Sequence, residues 1–200
     1  IRLGGDENLT VENGTIHNVT VSSINTTTAN DSVGIFLASI SSGNQTEVTQ
    51  STVSGLYAAS RAGINLVSRN ADASAPDLKI SGNEISASVS EGAAGINVEA
   101  SELSDLSTVE VSNNDFSGSY AGVANHDGDL IVNATSNWWG SVSGPTHVRN
   151  TYFAPGEIGQ GAIVSDNVEF TPWLNDSPDA NQVADFSPVQ NNSGGEFASI

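Results

Sequence analysis

Ile80-Ser81-Gly82-Asn83-Glu84-Ile85, Val111-Ser112-Asn113-Asn114-Asp115-Phe116 and Ala134-Thr135-Ser136-Asn137-Trp138-Trp139 are three versions of one phrase. Aligned, they put Asn83, Asn114 and Asn137 at one position, and Ile85, Phe116 and Trp139 two residues further on. A second marker, glycine before a β-branched residue, recurs at Gly34-Ile35, Gly63-Ile64, Gly95-Ile96 and Gly122-Val123, at spacings of 29, 32 and 27 residues. Units of this length cannot bury an apolar face alone and must stack, as in a solenoid or propeller. A propeller blade needs four antiparallel strands in about 40–45 residues, and these units are shorter. A sandwich would show two-residue hairpin turns, whereas here the repeated glycine precedes a strand.

Working outward, short alternating pairs supply the strands: Leu9/Val11, Val19/Val21, Leu78/Ile80, Val109/Val111 and Leu130/Val132 each place two apolar residues on one face. An apolar anchor follows most of them, at Ile24, Ile85, Phe116 or Trp139, and then the Gly-Ile strand. Two or three short strands per repeat describe one coil of a parallel β-helix. Stacked asparagines at a bend can join side-chain amides into a ladder and tolerate left-handed backbone. The expected fold is all-β: a single right-handed parallel β-helix with a Trp-rich C-terminal cap. Coils are expected over 1–139, the cap over 140–174 with Pro145, Pro155 and Pro172, and a polar tail or linker over 175–200. Insertions at 26–32 and 68–77 are expected as loops on one face.

Two hundred residues suit one domain; only 37% are apolar and 6% aromatic. No run near 18 apolar residues offers a membrane span. Twenty-three acidic residues face five basic ones, and Lys79 is the sole lysine. Such a chain repels nucleic-acid phosphates and anionic lipid. Its charge serves solubility at the least. Lysine depletion points further, to a medium of very high salt, where a Debye length of about 3 Å removes most self-repulsion.

Cysteine is absent, which removes disulfides and thiolate metal sites. The chain begins Ile1-Arg2-Leu3, so a mature or excised segment of a longer product is expected. Nine Asn-X-Ser/Thr sequons occur, at Asn8, Asn13, Asn18, Asn25, Asn30, Asn44, Asn133, Asn175 and Asn191. Chance contributes, because Asn, Ser and Thr are abundant, but five within residues 8–32 fit an exported, glycan-coated protein. The expected location is extracellular, on a cell or virion surface.

Ser136-Asn137-Trp138-Trp139-Gly140-Ser141-Val142-Ser143-Gly144-Pro145 resembles the closing motif of secreted right-handed parallel β-helix repeat proteins of the pectin lyase-like superfamily. Gly161 to Leu174 is similar to that family's final strand, and the resemblance covers about residues 9–174. The acidic composition looks like members from halophilic archaea or their viruses. The motif is specific for architecture and carries little about activity.

Trp138, Trp139 and Trp173 suggest sugar stacking, but Trp139 falls at the core position of Ile85 and Phe116 and is expected to plug the apolar column. Trp138 and Trp173 are assigned with it to the cap. Asn125-His126-Asp127-Gly128-Asp129 offers Asn125, Asp127 and Asp129 as alternating oxygen ligands, so calcium is the one cofactor suggested. Leu130 stands where the loop glycine should be and Ser136 where the bidentate Glu should be, and a plain turn explains Asp-Gly equally. His17, His126 and His147 have no zinc-ligand spacing.

The resemblance implies polysaccharide cleavage as an activity to weigh. Polygalacturonase-like members carry clustered Asp pairs and Gly-His-Gly, which are missing here; lyase-like members use an Arg or Lys base beside Asp-bound calcium. The basic residues Arg2, Arg61, Arg69, Lys79 and Arg149 are scattered. Glu84 and Asp115 could pair across neighbouring coils, but their equivalent positions on a stacked face favour solvated acidic surface. No catalytic residue is assigned. The expected function is a non-catalytic structural or assembly protein, a surface or fibre component that forms homo-oligomers or filaments. The alternatives are a polysaccharide lyase or hydrolase, and a carbohydrate-binding adhesin or viral receptor-binding fibre. Residues 1–10 offer no capping helix, so Leu3, Leu9 and Val11 are expected to contact a neighbouring subunit.

Overall fold

A computed structural model describes residues 2–3, 14–22, 32–38, 45–55, 60–67, 77–87, 92–99, 105–150, 158–178 and 190–191. No helix occurs among them. After β1 (Arg2–Leu3), three full turns follow. They are β2 (Thr15–His17), β3 (Thr20–Ser22) and β4 (Ser32–Ala38); β5 (Thr46–Thr49), β6 (Thr52–Ser54) and β7 (Ser60–Val67); β8 (Leu78–Ser81), β9 (Glu84–Ser86) and β10 (Ala94–Glu99). The chain continues through β11 (Val109–Ser112), β12 (Ala121–Asn125), β13 (Val132–Asn133), β14 (Pro145–Thr146), β15 (Gly161–Val164) and β16 (Val168–Glu169). It ends in β17 (Trp173–Leu174) and β18 (Gln190–Asn191).

Equivalent strands of successive turns pair in parallel. Sheet 1 runs β1-β4-β7-β10-β12-β15-β14, sheet 2 runs β16-β13-β11-β8-β5-β2, and sheet 3 runs β3-β6-β9. The protein is therefore a parallel β-solenoid. Beyond β9, sheet 3 thins to single bridges, Glu84 to Asp115 and Asp115 to Trp138. Sheets 1 and 2 both run on through β15 and β16, and β18 pairs antiparallel with β17.

Register explains the core. Ile35, Ile64, Ile96 and Val123 are aligned in sheet 1, and Ile16, Val48, Ile80 and Val111 in sheet 2. Rungs about 4.8 Å apart let each branched side chain sit on its own copy, and all eight are buried. Each such burial contributes about 1.5–3 kcal/mol. In sheet 3 the column is Val21, Val53 and Ile85, continued by buried Phe116 and Trp139, whose rings stack with centroids 5.2 Å apart.

The glycine marker and the anchor marker prove to be one device. A Cβ on Gly34 would lie 2.6 Å from Val53, on Gly63 2.8 Å from Ile85, on Gly95 2.8 Å from Phe116, and on Gly122 2.6 Å from Trp139. Each anchor occupies the space that the glycine of the preceding turn leaves open. Gly144 and Trp173 repeat the arrangement, again at 2.6 Å.

Several expectations shift. Val19/Val21 is not the first strand of sheet 2; Val21 stands in the anchor column, and Ile16 alone fills the sheet 2 position. The pair expected at Leu130/Val132 moves by two residues, since Asn133 aligns with Glu110, and Val132 and Ala134 are the buried pair. Of the insertions expected at 26–32 and 68–77, all but Ser32 and Asp77 lie outside the described residues. Leu9, Val11 and Ile24 lie outside the described residues.

Thr46 heads the sheet 2 column that continues in Leu78 and Val109. It is fully buried and its Oγ1 has no hydrogen-bond partner. Valine has the same shape without the desolvated hydroxyl. Thr46→Val should stabilise the fold by about 1–2 kcal/mol, read as a higher denaturation midpoint with unchanged slope; a lower midpoint would refute this.

Candidate functional site

The corner between sheets 2 and 3 is two residues long in every turn: Asn18-Val19, Gln50-Ser51, Gly82-Asn83, and then Asn113-Asn114 and Ser136-Asn137. Asn18, Gln50, Gly82, Asn113 and Ser136 all have φ between 49° and 68°. The left-handed residue is therefore the one before the ladder asparagine, not the ladder asparagine itself. This residue turns the chain at the corner, and the side chains that follow at Ser51, Asn83, Asn114 and Asn137 are buried.

Those side chains build the ladder. The N–H of Ser51 donates to Asn83 Oδ1 (2.9 Å), that of Asn83 to Asn114 Oδ1 (3.1 Å), and that of Asn114 to Asn137 Oδ1 (2.9 Å). The amide Nδ2 of Asn83 and of Asn114 also donates to the Oδ1 of the next asparagine, at 2.9 and 3.0 Å. Each Nδ2 then reaches a carbonyl of the preceding turn: Val48 (2.9 Å), Ile80 (2.9 Å) and Val111 (2.7 Å). The expected asparagine ladder is present, and the side-chain amides of Asn83, Asn114 and Asn137 are all used inside the molecule. Ser51, missed in the sequence, starts it, accepting from Val19 N–H at 3.2 Å. Its separation of 32 residues from Asn83 was the available signal.

On the outer side of the same strands stands a second column: Thr20, Thr52, Glu84, Asp115 and Trp138. Glu84 and Asp115 are thus direct neighbours across one rung. Glu84 is exposed, Asp115 is buried and Trp138 is half-buried, opposite Asn137 and Trp139 on its strand. Both Asp115 oxygens are engaged: Oδ1 accepts from Ser117 N–H (2.8 Å), and Oδ2 from the Ser177 hydroxyl. That carboxylate holds the chain around residue 177 against the solenoid. Trp139 and Trp173 are buried, and Trp173 Nε1 donates to the Val142 carbonyl at 3.2 Å.

Asn125, Asp127 and Asp129 lie on one turn. Asn125 Oδ1 accepts from Asp127 N–H (3.0 Å), and Asp127 Oδ1 from Asp129 N–H (2.9 Å) and Leu130 N–H (3.2 Å). Asn125 Nδ2 donates to the Leu130 and Asn167 carbonyls at 2.7 and 3.0 Å. Two of the oxygens that calcium would take, Asn125 Oδ1 and Asp127 Oδ1, hold main-chain N–H groups. Among the described residues, no three His, Asp or Glu side chains converge as a metal site. The histidines are separate: His17 Nδ1 meets Thr49 Oγ1 at 3.0 Å, His126 is exposed, and buried His147 contacts Asp166 at 3.2 Å. Arg149 lies 3.9 Å from the same carboxylate. Arg69 and the side chains of Arg2 and Arg61 lie outside the described residues.

Electrostatics appear most clearly on the outer face of sheet 2, where register aligns Thr15, Glu47, Lys79, Glu110, Asn133 and Glu169. The only lysine separates two glutamates. Lys79→Glu would align three carboxylates and should cost about 1 kcal/mol at low salt. The deficit should shrink in molar salt as screening tightens; denaturation at both salt levels checks it, and a salt-independent deficit would refute it. Elsewhere, the N–H and then the hydroxyl of Ser107 hold the Asp105 carboxyl below its usual range. Being lowered on folding, it adds stability above the ordinary carboxylate pKa, which is lost as pH falls through the lowered value.

Of the sequons, Asn18, Asn133 and Asn175 are exposed. Asn191 lies in β18. Asn8, Asn13, Asn25, Asn30 and Asn44 lie outside the described residues. Leu3 lies in β1, which pairs in parallel with β4, Leu3 opposite Leu37. Compared with protein-family models, curated proteins and solved structures, the chain gives no match.

Proposed function

We propose that this solenoid is a non-catalytic structural component of an exported surface or fibre, glycan-bearing and working in high salt, that assembles with further copies of itself. The observation that carries this is the run of parallel sheets ending in edge strands. Among the described residues, β2 ends sheet 2 and β3 ends sheet 3, with β1 at the margin of sheet 1. Parallel edges of this kind accept another strand, and a neighbouring subunit is the natural donor. The commitment of the ladder asparagines and Asp115 to internal bonds supports a building role over chemistry. The phrases at Ser136–Pro145 and Gly161–Leu174 support membership of the pectin lyase-like superfamily, and the lysine-poor acidic composition supports a halophilic source.

Light scattering with negative-stain imaging in molar salt, repeated after dilution, tests the assembly. Regular oligomers or filaments are expected; a monomer at every concentration would overturn it. A second reading is carbohydrate binding on the outer face of sheet 3. Half-exposed Trp138 beside Asp115 and Glu84 favours it, since an aromatic face stacks on a sugar ring and carboxylates accept from its hydroxyls. A glycan array, with Trp138→Ala as the comparison, separates the two readings.

A further inference from the structure

Within the reading of an exported glycoprotein, on which this step rests, we infer that Asn133 is the principal N-glycan acceptor among the three exposed described sequons, and that Asn175 is not one. Asn133 lies on the outer face of sheet 2, between Glu110 and Glu169 in register. Its Oδ1 accepts from the main-chain N–H of Thr135 (3.2 Å) and from the Thr135 hydroxyl (2.9 Å). These are the two donors that the sequon's third residue supplies. Together they polarise the amide, which makes the Nδ2 protons more acidic and eases loss of one of them, and they turn Nδ2 outward. No described residue accepts from that Nδ2. The substrate class is a saccharide carried on a lipid phosphate or pyrophosphate. Nδ2 attacks the anomeric carbon, the bond from that carbon to the phosphate oxygen breaks, and the lipid phosphate leaves with the electron pair. Nδ2 gives up one proton to a base of the transferring enzyme. A glycan attached before folding is accommodated equally, because the side chain leaves the solenoid on its solvent side.

The other two sequons are built differently. At Asn175 the third residue, Ser177, has its hydroxyl donated to Asp115, and buried Pro178 follows it. At Asn18 the backbone is left-handed, with φ of 53°, and Thr20 stands in the next strand after the bend.

The test is to secrete the full chain from a cell that performs N-linked transfer, and to map occupancy by glycopeptide mass spectrometry before and after amidase treatment. Residue 133 should be occupied in most molecules and residue 175 in almost none. Asn133→Gln and Thr135→Val should each remove the mass of one glycan, with the β spectrum retained. Glycans at other sequons with residue 133 empty would overturn this inference and leave the export reading standing, as would equal occupancy at 175. A chain bearing no glycan at any sequon would overturn both.

Discussion

Asn114→Ala should lower the stability of the solenoid by about 3–5 kcal/mol and split its unfolding into two steps. Asn114 sits mid-ladder and is fully buried. Removing its amide strands the N–H and Nδ2 of Asn83, which both donate to Asn114 Oδ1, and the carbonyl of Ile80, which accepts from Nδ2. Each buried polar group left without a partner costs about 1–3 kcal/mol. Asn114→Asp should be worse, because a carboxylate cannot donate to Ile80 and places a charge among buried groups. Asn114→Ser should be intermediate; Ser51 does the same work at the head of the ladder, accepting from Val19 and donating to the Thr49 carbonyl. In a solenoid each turn touches only its neighbours, so a weak link in the middle uncouples the two sides. All three tryptophans lie on the C-terminal side of Asn114. Their fluorescence reports that side, while circular dichroism reports the whole. The two curves should coincide in the parent and separate in Asn114→Ala; coincident curves with a loss below about 1 kcal/mol would show that the ladder is not a stabilising element.

The repeat was legible because its two markers answer to strict geometry. Asparagine is needed where one side chain must accept from one turn and donate to another, and glycine where a neighbour's anchor fills the Cβ position. Turns that meet the same demands with other residues were harder to read. Thr46-Glu47-Val48-Thr49 and Thr52-Val53-Ser54 carry one valine each among polar residues, so their alternation is faint, yet both are full strands. Ser51 replaces the asparagine there. Val19 and Val21 imitate a strand pair because a corner residue and an anchor happen to lie two apart. Glu84 and Asp115 were recognisable as equivalent positions, and the structure makes them direct neighbours. The grip of Ser177 on Asp115 spans 62 residues and had no local signal. Function stays less legible than fold for a related reason: most of the distinctive residues serve the stacking itself.

The glycine column allows a test that separates side-chain crowding from backbone crowding. A Cβ on Gly122 would meet Trp139 at 2.6 and 2.8 Å and Phe116 at 3.1 Å, all side-chain atoms. A Cβ on Gly95 would meet Phe116 at 2.8 Å but also the carbonyl oxygen of Gly122 at 2.8 Å. Ordinary contacts between such atoms lie near 3.5–4.0 Å, so both substitutions overpack, and each should cost about 2–4 kcal/mol. Their rescue should differ. Shrinking the anchor in Trp139→Leu leaves a cavity and costs about 2–4 kcal/mol alone, but in the double variant the new methyl moves into that space. Gly122→Ala and Trp139→Leu together should therefore be less damaging than their sum by about 1–2 kcal/mol. Gly95→Ala with Phe116→Leu should show little such relief, because the Gly122 carbonyl is fixed by its place in sheet 1 and cannot retreat. Two double-mutant cycles by chemical denaturation measure both couplings. Equal couplings would mean that the column yields as a whole; coupling at Gly122 alone would mean that glycine there makes room for tryptophan, while Gly95 also makes room for the next strand.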